Sequence, residues 1–256
     1  MLGEWRSLDD IRIDDGATIA IGGIGSIRKP MGLLRAIVDA GVRDLVVISF
    51  LGGLDVELLL AAGAVRELHT AGVSLDAAGL APRYRAARQS GSVRVMEWSE
   101  GSLHAALEAT ARGLPSLPCG TAPGSDVVVA NPHLTVAPDP FTGAPVVVAR
   151  ALPVDVGLLH VPGASAAGDL FIDGDAGVDG TIARAAATVV ASASRRRDDP
   201  PARAAISRVW VDAVVALPDG AWPTWCHPTE VADLDVVRRW ARDPDAPLAL
   251  LTREAS

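Results

Sequence analysis

Apolar positions in the first hundred residues fall into short runs that alternate with stretches of helical spacing. The run in IAIGGIGSIRKPMGLLRAIVDAG, residues 19–41, ends at Gly22-Gly23-Ile24-Gly25. Pro30 then opens a segment with Leu33, Leu34, Ile37 and Val38 on one helical face. This reads as a buried strand, a glycine-rich turn and a helix. DLVVIS, residues 44–49, is the next strand, and a helix covers 54–63 before VRELHT at 65–70. A further helix over 81–89 precedes VRVMEWS, residues 93–99. The alternation predicts an α/β fold, an open and mostly parallel sheet flanked by helices.

Beyond about residue 113 the pattern loosens. RGLPSLPCGTAPGSD, residues 112–126, is dense in turn formers and reads as an ordered loop or crossing segment. VVVARAL at 146–152 and VDVGLLHV at 154–161 return to buried-strand composition, as does ISRVWVDAVVALP later on. SRRRDDPPAR, residues 194–203, is an exposed connector, because adjacent like charges and Pro200-Pro201 suit solvent better than a core. TEVADLDVVRRWARD, residues 229–243, predicts a terminal helix with Thr229 as its cap. The expected organisation is one domain over residues 1–256 with an elaborated second half.

Composition narrows the function. A formal charge of -8 argues against a general nucleic-acid binder. Cys119 and Cys226, the only cysteines, form neither a C-x-x-C pair nor a disulfide framework and read as reduced thiols. MLGEWRSLDD lacks a basic-then-apolar signal, and no apolar stretch is long enough for a membrane span, so the expected setting is cytoplasmic.

Several residues carry candidate chemistry. The glycine turn and adjoining helix start offer amides that could receive an anion, although the spacing is not a full dinucleotide fingerprint and no phosphate-loop lysine follows. Arg28-Lys29 beside the turn could meet a phosphate or carboxylate, against the default of a solvated charged pair. Glu100 lies where a strand gives way to a helix, the place where parallel sheets commonly surround ligands. A carboxylate there could activate water or remove a proton, or could merely favour a helix start. His104 lies one turn further on and could meet it. Ser99 and Ser102 lack the nucleophile-elbow pattern. Asp173, Asp175 and Asp179 read as a polar turn before a calcium loop. His69, His133, His160 and His227 are scattered and give no zinc signature. Trp210, Trp222, Trp225 and Trp240 read as core or interface residues.

The stretch from Ile19 to Phe50, with GVSLDAAG and MEWSEGSLHAALEATARGLPSLP downstream, resembles the alpha subunits of family I CoA-transferase-like enzymes. R-K-P after the glycine turn and E-G-x-L followed by L-P-x-L-P are its specific features, and the likeness runs from about Gly16 to Trp240. Within that family it is similar to the branch that opens steroid rings as CoA esters. The resemblance assigns the catalytic acid to Glu100. It assigns substrate contacts to Gly22, Gly23, Gly25, Arg28 and Lys29, and a second glycine loop to Gly124 and Ser125. It implies an acyl-CoA substrate, no metal, and no cofactor beyond the CoA moiety of that substrate. It also implies an unlike beta subunit, commonly in an α2β2 heterotetramer with the active site between unlike chains. In true transferases the glutamate that carries CoA belongs to the beta chain, so its absence here is expected. Ala166 and Ala167 before Gly168-Asp169 depart from the related pattern, where an aspartate precedes a G-N pair. Three functions follow as expectations: a ring-opening hydrolase subunit using Glu100, a transferase subunit for a dicarboxylic or keto acid, or a non-catalytic acyl-CoA-binding or assembly subunit.

Overall fold

A computed structural model describes residues 2–199, 201 and 203–251. The first half follows the alternation closely. β1 (Glu4–Arg6) leads to β2 (Thr18–Ile21), α1 (Met31–Asp39), β3 (Leu45–Ser49), α2 (Leu54–Ala61) and β4 (Val65–Thr70). α3 (Pro82–Ser90), β5 (Arg94–Glu97) and α4 (Glu100–Ala111) complete it. The second half holds β6 (Ser116–Cys119), α5 (Asp126–Ala130), β7 (Leu134–Pro138), β8 (Pro145–Arg150) and β9 (Val154–Val161). It continues through β10 (Gly163–Ser165), β11 (Leu170–Phe171), α6 (Asp179–Ala185), β12 (Ala186–Ala193), β13 (Arg196–Arg197), β14 (Ala213–Ala216) and α7 (Leu234–Arg242).

Eight strands form one sheet in the order β1-β14-β12-β9-β2-β3-β4-β5. Every pairing in it is parallel, with Ile19 opposite Val47 and Val156, and Ala191 opposite Val214 and Leu159. Parallel pairing buries both faces, and the strand period of two sorts the side chains. Ile19, Ile21, Leu45 and Val47 pack with α1, α2 and α7 on one side. Ala20, Ile48, Leu159 and Ala191 pack with α4 and α6 on the other.

The second half corrects several expectations. Residues 112–126 contain β6, which joins β7 and β8 in a small antiparallel sheet packed beside α4. The 146–152 stretch therefore belongs to this side sheet rather than the main one. In the 194–203 connector, Arg196 and Arg197 pair with β10, while Pro200 and Ala202 lie outside the described residues. The last helix starts at Leu234 and not near Thr229, because the Asp233 side chain accepts from the Val236 amide and caps it. Thr229 instead donates its hydroxyl to the Cys226 carbonyl. Trp240 is fully buried, whereas Trp210 and Trp225 are exposed.

Candidate active site

The chain runs outward from β2 to β5, then returns to add β9, β12 and β14 on the other side of β2. The switch in strand order therefore falls between β2 and β9, and ligands of open α/β sheets gather beyond the carboxyl ends of such strands. Gly22–Gly25 leaves β2 there, and Glu100 follows β5 on the same edge. Three strand spacings, about 14 Å, separate the two exits.

The glycine turn is closed from within. Gly22 donates to the Leu158 carbonyl (2.8 Å) and Gly25 to that of Leu51 (3.0 Å). Gly23 donates to Asp179 Oδ1 at 2.7 Å. Thus the anion the turn was expected to receive is the chain's own carboxylate, and the three amides are not open donors for a substrate. Gly23 has φ +72°, and a Cβ there would stand 2.3 Å from the Ile27 carbonyl oxygen. Gly23→Ala should therefore lower folded yield and thermal midpoint sharply, whereas Gly16→Ala, at an open turn, should cost far less.

Arg28 and Lys29 are buried rather than solvated. The Arg28 guanidinium bonds Asp179 Oδ2 at 2.9 Å and the Asp175 carbonyl at 2.7 Å. Lys29 Nζ lies 3.1 Å from Asp55 and donates to Leu51 O at 2.9 Å, with no solvent exposure. Asp55 also accepts from Ser49 and from the Gly53 amide. Both cations thus hold the turn against β3 and α6 instead of presenting charge at the rim. Asp179, read from sequence as part of a polar turn, is the fully buried hub of this clamp.

Glu100 behaves oppositely. It is exposed at the first position of α4, with no hydrogen-bond or ion-pair partner among the described residues. Ser99 caps the helix and bonds Ser102, whose hydroxyl returns to the Ser99 amide. The amides of Glu100 and Gly101 have no acceptor among the described residues, as helix starts require. A Cβ on Gly101 would meet nothing within 4 Å. His104 does not meet Glu100: its Nε2 lies 3.3 Å from the Thr181 hydroxyl and its ring packs edge-on to Phe50. Thr121 bonds Ser99 at 2.6 Å, docking the loop that carries Gly124 and Ser125 beside the start of α4. Gly124 is exposed with open space around it, and the Ser125 hydroxyl is buried without a partner.

Two groups of ligand-type side chains converge that sequence spacing does not reveal. His160 bonds Ser192 at 2.8 Å and Glu230 at 2.8 Å. Glu230 also accepts from the Ala221 and Trp222 amides, and Cys226 lies alongside, its thiol pushed up to about 11 by burial. His160 and Glu230 spend their bonding capacity on each other, on Ser192 and on these amides. The second group is Glu67, His69 and His133. Trp98 Nε1 donates to His69 Nδ1 at 3.1 Å, so the ring proton sits on Nε2 and donates to Glu67 Oε1 at 2.8 Å. A metal ligand on Nε2 would turn Nδ1 into a donor facing another donor, the reverse of the usual metal-histidine arrangement. Burial holds this imidazole down to about 4 from an ordinary 6.5, with Glu67 pulling the other way. The unfolded chain therefore binds the proton first as pH falls. His69 costs no stability above about 6.5 and progressively destabilises the fold between 6.5 and 4. The free energy of unfolding should drop more steeply with falling pH across that window for the wild type than for His69→Asn.

Sheet order and switch point define an open, parallel α/β fold with an unpaired carboxylate on its carboxyl rim. Residues 10–217 match Coenzyme A transferase, and the chain belongs to that family. It is 34% identical over 264 residues to the cholesterol ring-cleaving hydrolase IpdA subunit of Rhodococcus jostii, covering 95% of this chain and 88% of the relative. It superposes on a variant of the decarboxylase AibA/AibB with TM-score 0.88 and 33% identity, over 94% of each chain. It also superposes on glutaconate coenzyme A-transferase from Acidaminococcus fermentans with TM-score 0.89 and 25% identity, over 95% and 84% of the two chains. The family resemblance carried by the R-K-P and E-G-x-L stretches is thereby shown. No helix among the described residues is long and apolar enough to cross a membrane.

Proposed function

We propose that this chain is the alpha subunit of a heteromeric, cytoplasmic CoA-ester ring-opening hydrolase in steroid or cholesterol ring catabolism. The observation that carries the reading is Glu100, a carboxylate left without a partner at the strand-to-helix junction on the ligand rim. The likeness to the ring-cleaving hydrolase subunit supports it over nearly the whole chain. Glu100 takes a proton from water as the water oxygen adds to a ring ketone. Collapse of that adduct breaks the carbon–carbon bond and leaves an enolate, to which the same proton is returned. The free amides of Glu100 and Gly101 replace the glycine turn as candidate donors to the developing negative charge. Gly124 and Ser125 border the substrate. CoA is part of that substrate, and no metal or further cofactor takes part.

An unlike beta subunit closes the pocket, in an α2β2 assembly. The purified chain alone should not turn over a cyclic keto-CoA ester, whereas the co-purified pair should consume it with water and no acyl acceptor. Turnover by the chain alone would reject the shared site. The superposition on glutaconate coenzyme A-transferase favours a second reading, transfer of CoA to a dicarboxylic or keto acid. A CoA thioester trapped on a partner glutamate would establish it. Binding of acyl-CoA by the pair without any turnover would leave an assembly role.

A further inference from the structure

Resting on that reading of Glu100, we propose that His69 is a positioning residue, a neutral imidazole of fixed tautomer that aims the Glu100 junction through Trp98. The three residues from Glu97 to Ser99 are held by different parts of the fold. Asn131, itself buried, donates to the Glu97 carbonyl at 2.8 Å. The Trp98 amide donates to the Thr70 carbonyl (3.0 Å), and its indole donates to His69. Ser99 is held by Thr121 and Ser102. Only Glu100 is left unheld.

The backbone of His69 pairs with Ile48 and Met96 in the main sheet, and its side chain adds a link to this frame outside that ladder. It is 2% exposed and Trp98 is 3% exposed, so neither side chain has water as an alternative partner. The His133 ring packs edge-on to His69, with centroids 5.3 Å apart, and tilted against Trp98 at 5.7 Å. Glu67 fixes the proton on Nε2, Nδ1 is thereby the acceptor, and the indole N–H can only donate. The chain Glu67–His69–Trp98 consequently has one bonding arrangement. Its far end lies two residues before the carboxylate. A displacement of about 1 Å at a catalytic group can cost on the order of 100-fold in rate.

The test uses the co-purified assembly with a cyclic keto-CoA ester. His69→Leu and Trp98→Phe should each lower kcat about 10- to 100-fold with KM little changed. His69→Asn, which keeps an acceptor near Nδ1, should recover much of the loss. Adding His69→Leu to Glu100→Gln should lower the rate little further, because the first residue acts only through the second. Full activity in His69→Leu, or losses that multiply in the double variant, would overturn the inference. Full turnover in Glu100→Gln would instead overturn the underlying reading. A readout independent of substrate and of these variants is the 15N-histidine spectrum of the wild-type chain. It should show His69 neutral between pH 5 and 8 with its proton on Nε2; a proton on Nδ1 would contradict the proposed chain.

Discussion

Asp179→Ala should cost the folded chain about 3–5 kcal/mol, the characteristic loss when one partner of a buried ion pair is removed. Its carboxylate is fully buried and accepts from both the Gly23 amide and the Arg28 guanidinium. Arg28 is only 4% exposed, and its Nε already lacks a partner. Removing the carboxylate leaves a cation and an amide stranded beneath the glycine turn. Asp179→Asn keeps an acceptor and should lose less. Chemical denaturation of the three chains should give midpoints in the order wild type, Asp179→Asn, Asp179→Ala. Unchanged midpoints would show that the turn does not depend on this clamp.

Glu100→Gln should do the reverse. Loss of a general acid–base group typically lowers rate by roughly 10²- to 10⁴-fold. Stability should change by less than about 1 kcal/mol, since the side chain is exposed and the only expected loss is its favourable place at the helix start. Steady-state kinetics of the assembled variant, beside its melting curve, separate the two effects. A large fall in melting temperature with unchanged specific activity would assign Glu100 a structural role.

The contrast between these residues marks what the chain makes legible. The alternating elements from β2 to α4 are readable because each segment's periodicity agrees with the layer it enters, and the Ser99 cap marks the start of α4. Residues 116–119 resist the same reading. A four-residue strand containing Pro118 looks like a turn until β8 supplies its partner. Arg28-Lys29 looks solvated because its neutralising acids, Asp179 and Asp55, are distant in sequence. His69 and His133 are separated by three helices (α3, α4 and α5) and two strands (β5 and β6), so no local spacing announces their contact. Glu100 could be singled out because its evidence is local, at a strand end, a helix start and a matching motif. Its freedom from internal partners required the fold.

The most direct measurement is reaction of the assembled pair with a cyclic keto-CoA ester in 18O-labelled water, with and without an added carboxylic acid. Ring-opened product should carry one water-derived oxygen in its new carboxylate, form without the acid and be nearly abolished by Glu100→Gln. Unlabelled ring, with CoA moved onto the added acid at a rate indifferent to Glu100→Gln, would contradict that mechanism.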